Sequence, residues 1–264
     1  MNKRKIYILM MMIVCAVLSS CEKELDFKYH EIDPLLVIEG SLTQKGAEVS
    51  LTYTTPMNEP MNRERLTDAE ISISDLTAGE EFELSPDSSG LYIADVTGIA
   101  GHTYRLTILR NGEIYTSECL MREGVEITGM EFSWVKMPYD DVAALQVSFT
   151  DNADSTNDCY WMRIYRNGEA YKWAELTDLH SSNGIIDKVM MTSRKNLDEE
   201  DESDKLVPGD VVKVTVVPVS REMHDYLEAL SIGNSNGPRM FQGAFCLGYF
   251  LAAPITEKEI IFNP

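Results

Sequence analysis

Short segments that alternate apolar with polar residues, each ended by a turn sequence, set the tightest limit on how this chain can fold. Val49, Leu51 and Tyr53 fall on one side of Ala47–Tyr53, and Ala69, Ile71 and Ile73 alternate with Glu70, Ser72 and Ser74. Tyr104, Leu106 and Ile108 repeat the pattern, as do Ala143, Leu145, Val147 and Phe149. A period of two puts one face of a strand on a core and the other in water. Pro86-Asp87-Ser88-Ser89-Gly90 separates two such segments, and Asn111-Gly112 and Asn167-Gly168 separate others. Asn and Gly both accept the positive φ of a tight hairpin turn. Arg110-Asn-Gly-Glu-Ile-Tyr115 and Arg166-Asn-Gly-Glu-Ala-Tyr171 are near copies, which suggests one hairpin device used twice.

The spacing predicts a mainly β protein: an immunoglobulin-like β-sandwich over residues 34–122, then a second β-rich domain over 123–264. The second carries the one helix expected, at 221–232. Ser220 is placed to cap it, Glu222 lies in its first turn, and Gly233 follows its end. Met223, Tyr226, Leu227 and Leu230 give that helix an apolar stripe for packing on a sheet.

The start of the chain has a different character. Lys3, Arg4 and Lys5 precede an apolar run from Ile6 to Leu18, followed by Ser19, Ser20 and Cys21. The run is too short to cross a bilayer core of about 30 Å as a helix. It matches a lipoprotein signal, residues 1–20, whose removal leaves Cys21 as an acylated first residue. Several acyl chains together hold a protein on a membrane for long times. Residues 21–33 then form an acidic tether through Glu22, Glu24 and Asp26. Such a start resembles the export tag that carries lipoproteins of Bacteroidota-type bacteria to the outer face of the outer membrane. The expected location is therefore the outer membrane, lipid-anchored and facing the cell surface.

Loss of residues 1–20 removes three basic residues and no acids, so the net charge falls from −20 to −23. Nucleic acid is thereby disfavoured as a partner, because its backbone needs a basic patch. Cys119, Cys159 and Cys246 remain besides the acylated Cys21. None has metal-ligand spacing. They fit buried thiols or a Cys159–Cys246 bridge, which an exported location permits.

No nucleophile elbow, zinc-protease motif or phosphate-binding glycine loop is present, and His30, His102, His180 and His224 are scattered. A pair of carboxylates suffices for glycoside hydrolysis, but 43 acids leave no pair distinguished by sequence. Asp151, Asn152, Asp154 and Asp158 crowd one loop and offer the oxygen ligands that Ca²⁺ takes, without the spacing of an EF-hand. Otherwise no cofactor is expected. Among the aromatics, Trp161 and Tyr165 share a strand face opposite Met162 and Ile164, which predicts a strand buried on both sides. Trp173, with Tyr171 two residues before it, is the better candidate for stacking on a ligand.

Several pieces occur in a telling order: the anchor and acidic tether, Leu36-Val37-Ile38-Glu39-Gly40, and Gly90-Leu91-Tyr92 ahead of Gly101-His102-Thr103-Tyr104-Arg105-Leu106. Tyr160-Trp161-Met162-Arg163-Ile164-Tyr165, the helix Glu222–Leu230 before an Asn/Gly loop, and Gly248-Tyr249-Phe250 come later. Together they resemble a Bacteroidota outer-membrane lipoprotein family of unknown function, often encoded beside TonB-dependent receptors. The resemblance implies an accessory to a nutrient transporter, with a TonB-dependent receptor as partner, that binds or presents ligand without catalysis. A surface glycan hydrolase and a structural or adhesive β module are the alternatives.

Overall fold

The structure, a computed structural model, describes residues 33–56, 60, 64–138, 141–151, 158–194, 205–234 and 236–263. The signal segment, Cys21 and most of the tether lie outside these, as do Asn152 and Asp154. No helix among the described residues is long and apolar enough to cross a membrane.

The first half builds β1 (Leu36–Thr43), β2 (Gly46–Tyr53), β3 (Glu70–Asp75), β4 (Glu80–Pro86), β5 (Tyr92–Ala94), β6 (Thr103–Arg110) and β7 (Glu113–Leu120). The second builds β8 (Ile127–Lys136), β9 (Asp141–Thr150), β10 (Cys159–Arg166), β11 (Glu169–Thr177), β12 (Ile185–Arg194) and β13 (Val211–Val219). Helix α1 (Arg221–Ser231) follows, then β14 (Gln242–Gly243), β15 (Leu247–Ala252) and β16 (Thr256–Ile261). The mainly β expectation holds. So does the helix, whose first turn is closed by the Met223 amide donating to Ser220 Oγ at 3.1 Å.

The first seven strands fold back on themselves around a core of Ile38, Leu42, Val49, Ile73, Leu106 and Ile108. β1 faces β6 across it, so closely that a Cβ on Gly40 would press on the Leu106 side chain. This sandwich is completed from far along the chain. β15 pairs in parallel with β1, from Val37↔Leu247 to Leu42↔Ala252, and β14 pairs with β7. Residues 241–252, which a boundary at 122/123 puts in the second domain, thus belong to the first sheet, and Phe241, Cys246, Phe250 and Ala252 enter its core. The physical reason is twofold: β1 would otherwise expose a row of unpaired amides and carbonyls, and the apolar run of 241–252 needs a core. Gly248 is required at the junction. Its φ is +104°, and a Cβ there would run into the carbonyl oxygen of Ile38.

The second sandwich packs the sheet β11-β10-β13-β16 on the sheet β12-β9-β8. Met162, Ile164, Val214 and Val216 meet Leu145, Val147 and Phe149 between them. The other face of the four-stranded sheet is covered in part by α1 and by the end of β15. There Cys159, Trp161, Val217, Met223, Leu227 and Leu251 form a third apolar cluster. Residues 34–264 make one compact unit.

Candidate functional site

Where the third cluster ends, the two sandwiches part and leave a cleft of about 400 Å³. One wall is the outward face of β1 and β2. Their register sets Glu39 opposite Ser50 and Ser41 opposite Glu48, so the two carboxylates lie diagonally on one face. Diagonal positions put Cβ atoms roughly 7–8 Å apart. The other wall is the outward face of β10, which alternates Trp161, Arg163 and Tyr165 into the cleft, and Tyr249 of β15 joins them. The mouth is tied across by Lys45 and Glu257 at 2.8 Å. Gln44 adds two hydrogen bonds to the backbone of Ile255, donating at 2.6 Å and accepting at 2.9 Å.

The aromatic side is continuous. Trp161 meets Tyr249 edge-on at 5.6 Å and Trp173 edge-on at 6.4 Å, and Tyr226 of α1 lies 6.2 Å from Tyr249. The Arg163 guanidinium covers the Trp161 indole at 4.5 Å. Trp161 is only 8% exposed, yet its Nε1–H has no acceptor among the described residues, and neither has the buried Nε–H of Arg163. A buried donor left unpaired costs about 1–3 kcal/mol. Arg163 forms no ion pair with any described residue, although Glu39 lines the same cleft. Both charges register on Tyr249: burial pushes its hydroxyl up most, Glu39 adds to that, and Arg163 opposes it. Tyr226 is likewise raised by burial first and then by Glu39.

The residues singled out by sequence fare unequally. Trp173 is 37% exposed and touches the aromatic run behind the cleft. Tyr171 does not join it. The pairing of β10 with β11 slips between Ile164 and Tyr165, and the extra residue turns Tyr171 inward, where its hydroxyl donates to the Thr192 carbonyl at 2.6 Å. Of the acidic loop, both described members serve the fold. Asp151 accepts from the Tyr160 hydroxyl at 2.7 Å, and Asp158, nearly buried, pairs with Arg122 at 3.1 Å. Cys159 and Cys246 occupy different clusters, and neither they nor Cys119 form a disulfide among the described residues. Burial raises all three thiols, Cys246 to about 11, which leaves none activated as a nucleophile. His102 is held by Asp75 at 2.7 Å. His224, Asp225 and Glu228 offer three ligand atoms within 4.8 Å of one another. Arg221, however, already pairs with Asp225 at 2.9 Å.

The cleft corrects one expectation in part. Trp161 is buried in the third cluster, as a strand covered on both faces requires, but Arg163 and Tyr165 further along the same face line an opening. The sign of this in the sequence was Arg163, a charge on a strand face that otherwise promised burial on both sides.

The family described as a domain of unknown function (DUF4249) matches residues 22–259, and the chain belongs to that family. No curated protein matches the sequence. Among solved structures it is similar to a segment of two fibronectin type-III domains from chicken tenascin, at 16% identity and a TM-score of 0.23, covering 71% of this chain and 92% of that one. It is also similar to the FN1–FN3 domains of chicken CNTN1, at 10% identity and a TM-score of 0.23, covering 86% of this chain and 65% of that one.

Proposed function

We propose that this DUF4249 protein is a lipid-anchored outer-membrane accessory of a TonB-dependent uptake system, which binds or presents ligand without chemistry on it. The cleft carries the binding half of this reading. It sets the Arg163 guanidinium opposite the Glu39 and Glu48 carboxylates, none of them ion-paired with a described residue, beside aromatic faces, in a volume suited to a small molecule. The Leu18-Ser19-Ser20-Cys21 signal supports the anchor. Mild detergent extraction of outer membranes carrying the tagged protein, followed by mass spectrometry, tests the accessory role. A TonB-dependent receptor recovered in near-equal amount is the expected result; recovery of the protein alone, under conditions that keep known receptor complexes intact, overturns it.

Glu39 and Glu48 support a second reading, glycan hydrolysis, because two carboxylates facing an aromatic-walled cleft are the minimal set for it. Both are exposed, however, and a general acid working near neutral pH needs a water-poor pocket. Turnover of a glycan panel that disappears in Glu39→Gln would establish the enzyme and displace the first reading.

A further inference from the structure

We propose that the cleft between β1, β2 and β10 takes a small zwitterionic, peptide-like ligand, its carboxylate against Arg163 and its ammonium group against Glu39 and Glu48. This rests on the ligand-presenting reading and names the chemistry of its ligand.

Three observations lead there. First, Arg163 lines the cleft, and its guanidinium, stacked on the Trp161 indole at 4.5 Å, forms no ion pair with any described residue. A planar guanidinium pairs best with a carboxylate, which can take two of its hydrogens at once. Second, the facing wall is of opposite sign. Glu39 and Glu48 reach no cation among the described residues, and the hydroxyls of Ser41 and Ser50 lie between and beside them. Arg163 and Glu39 share the cleft without pairing, so the walls are complementary to a molecule with a negative and a positive end, and not to each other. Third, the mature chain carries a net charge of −23, which repels anions at a distance. A ligand that brings a carboxylate must therefore bring a compensating cation, and a zwitterion does. A neutral sugar would suit the aromatic faces but would leave the Arg163 charge partly desolvated without a counter-charge. The volume, about 400 Å³, leaves room for more than a single amino acid.

Calorimetry on the full-length protein in detergent tests this with four probes: trialanine, N-acetyl-trialanine, trialanine amide and maltose. Trialanine should bind, and blocking either end should weaken it at least tenfold. Arg163→Met should erase the preference for a free carboxylate, and Glu39→Gln with Glu48→Gln the preference for a free amine. Thermal unfolding confirms that each variant folds. Should a variant fail to fold, the blocked peptides on the unaltered protein still decide. Equal binding of free and blocked peptides overturns the proposal. Maltose binding alone overturns it too, while leaving a ligand-binding cleft. If no probe binds although the receptor copurifies, the ligand class is wrong and the accessory role stands. Loss of the receptor with trialanine still bound has the opposite meaning.

Discussion

The hairpins at Asn111-Gly112 and Asn167-Gly168 share almost the same six residues, yet they behave alike only at the turn itself. In both, Asn and Gly adopt positive φ, 52° and 78° in the first and 50° and 89° in the second. Beyond the turn they part. In the first, pairing runs on without a slip to Ile108↔Tyr115, and Tyr115 lies in the core with its hydroxyl donating to Glu113. In the second, pairing slips after Tyr165↔Ala170 and Tyr171 is pushed inward. The arginine before each turn also meets a different partner. Arg110 grips Asp68 through two bonds of 2.7 and 2.9 Å, but Asp68 is 56% exposed. Arg166 pairs at 2.7 Å with Asp210, whose side chain is only 6% exposed and which also accepts from Asn167 and from the Val207 amide. Turn chemistry is settled within a few residues, whereas register and the strength of an ion pair are settled by what packs above them.

This contrast can be broken by substitution. Asp210→Ala should cost the most, about 2–3 kcal/mol in chemical denaturation, because it removes the buried acceptor shared by Arg166, Asn167 and the Val207 amide. Acid should act through the same group. Burial pushes the Asp210 carboxyl up, but the Val207 amide, Asn167 and Arg166 together hold it below the usual range. A depressed native pKa gives stability that is present above the unfolded value, about 3.9, and lost as pH falls through the native one. Denaturation below pH 4 should therefore be steeper in the unaltered protein than in Asp210→Ala; equal slopes would refute the assignment. Gly112→Ala and Gly168→Ala should come next, at about 1–2 kcal/mol each, since both force a side chain into the left-handed region with open space around it. Their equality is the point: a clear difference would mean that the turns are not alike after all. Asp68→Ala should cost least, about 1 kcal/mol, because Asp68 itself stands in water, although its partner Arg110 is only 10% exposed. A loss matching that of Asp210→Ala would dissolve the comparison.

The same division explains what the sequence could disclose. Alternation located the strands, Asn-Gly located the hairpins, and Ser220 located the start of α1, because each rests on neighbours a few residues apart. The return of Phe241–Ala252 to the first sheet leaves no such local mark. Glu39 and Glu48 look like any polar positions on an outward strand face, and nothing nearby in sequence reveals that another sheet stands opposite. Tyr171 and Trp173, two residues apart in sequence, are separated in space by one slipped residue in β11, which no neighbouring residue announces. Arg163 alone signalled the cleft.

The parallel pairing of β15 with β1 has a consequence for how the molecule is made. The strand that covers the edge of β1 is synthesised roughly 200 residues after it, a separation of the kind that slows folding. A chain interrupted before Leu247 keeps that edge bare, together with the apolar surface that Phe241 and Phe250 would have filled, and offers both to any neighbour. Completion of the first sheet thus waits on the synthesis of β15, and a product shortened before Leu247 is marked for aggregation or proteolysis by the bare edge of β1.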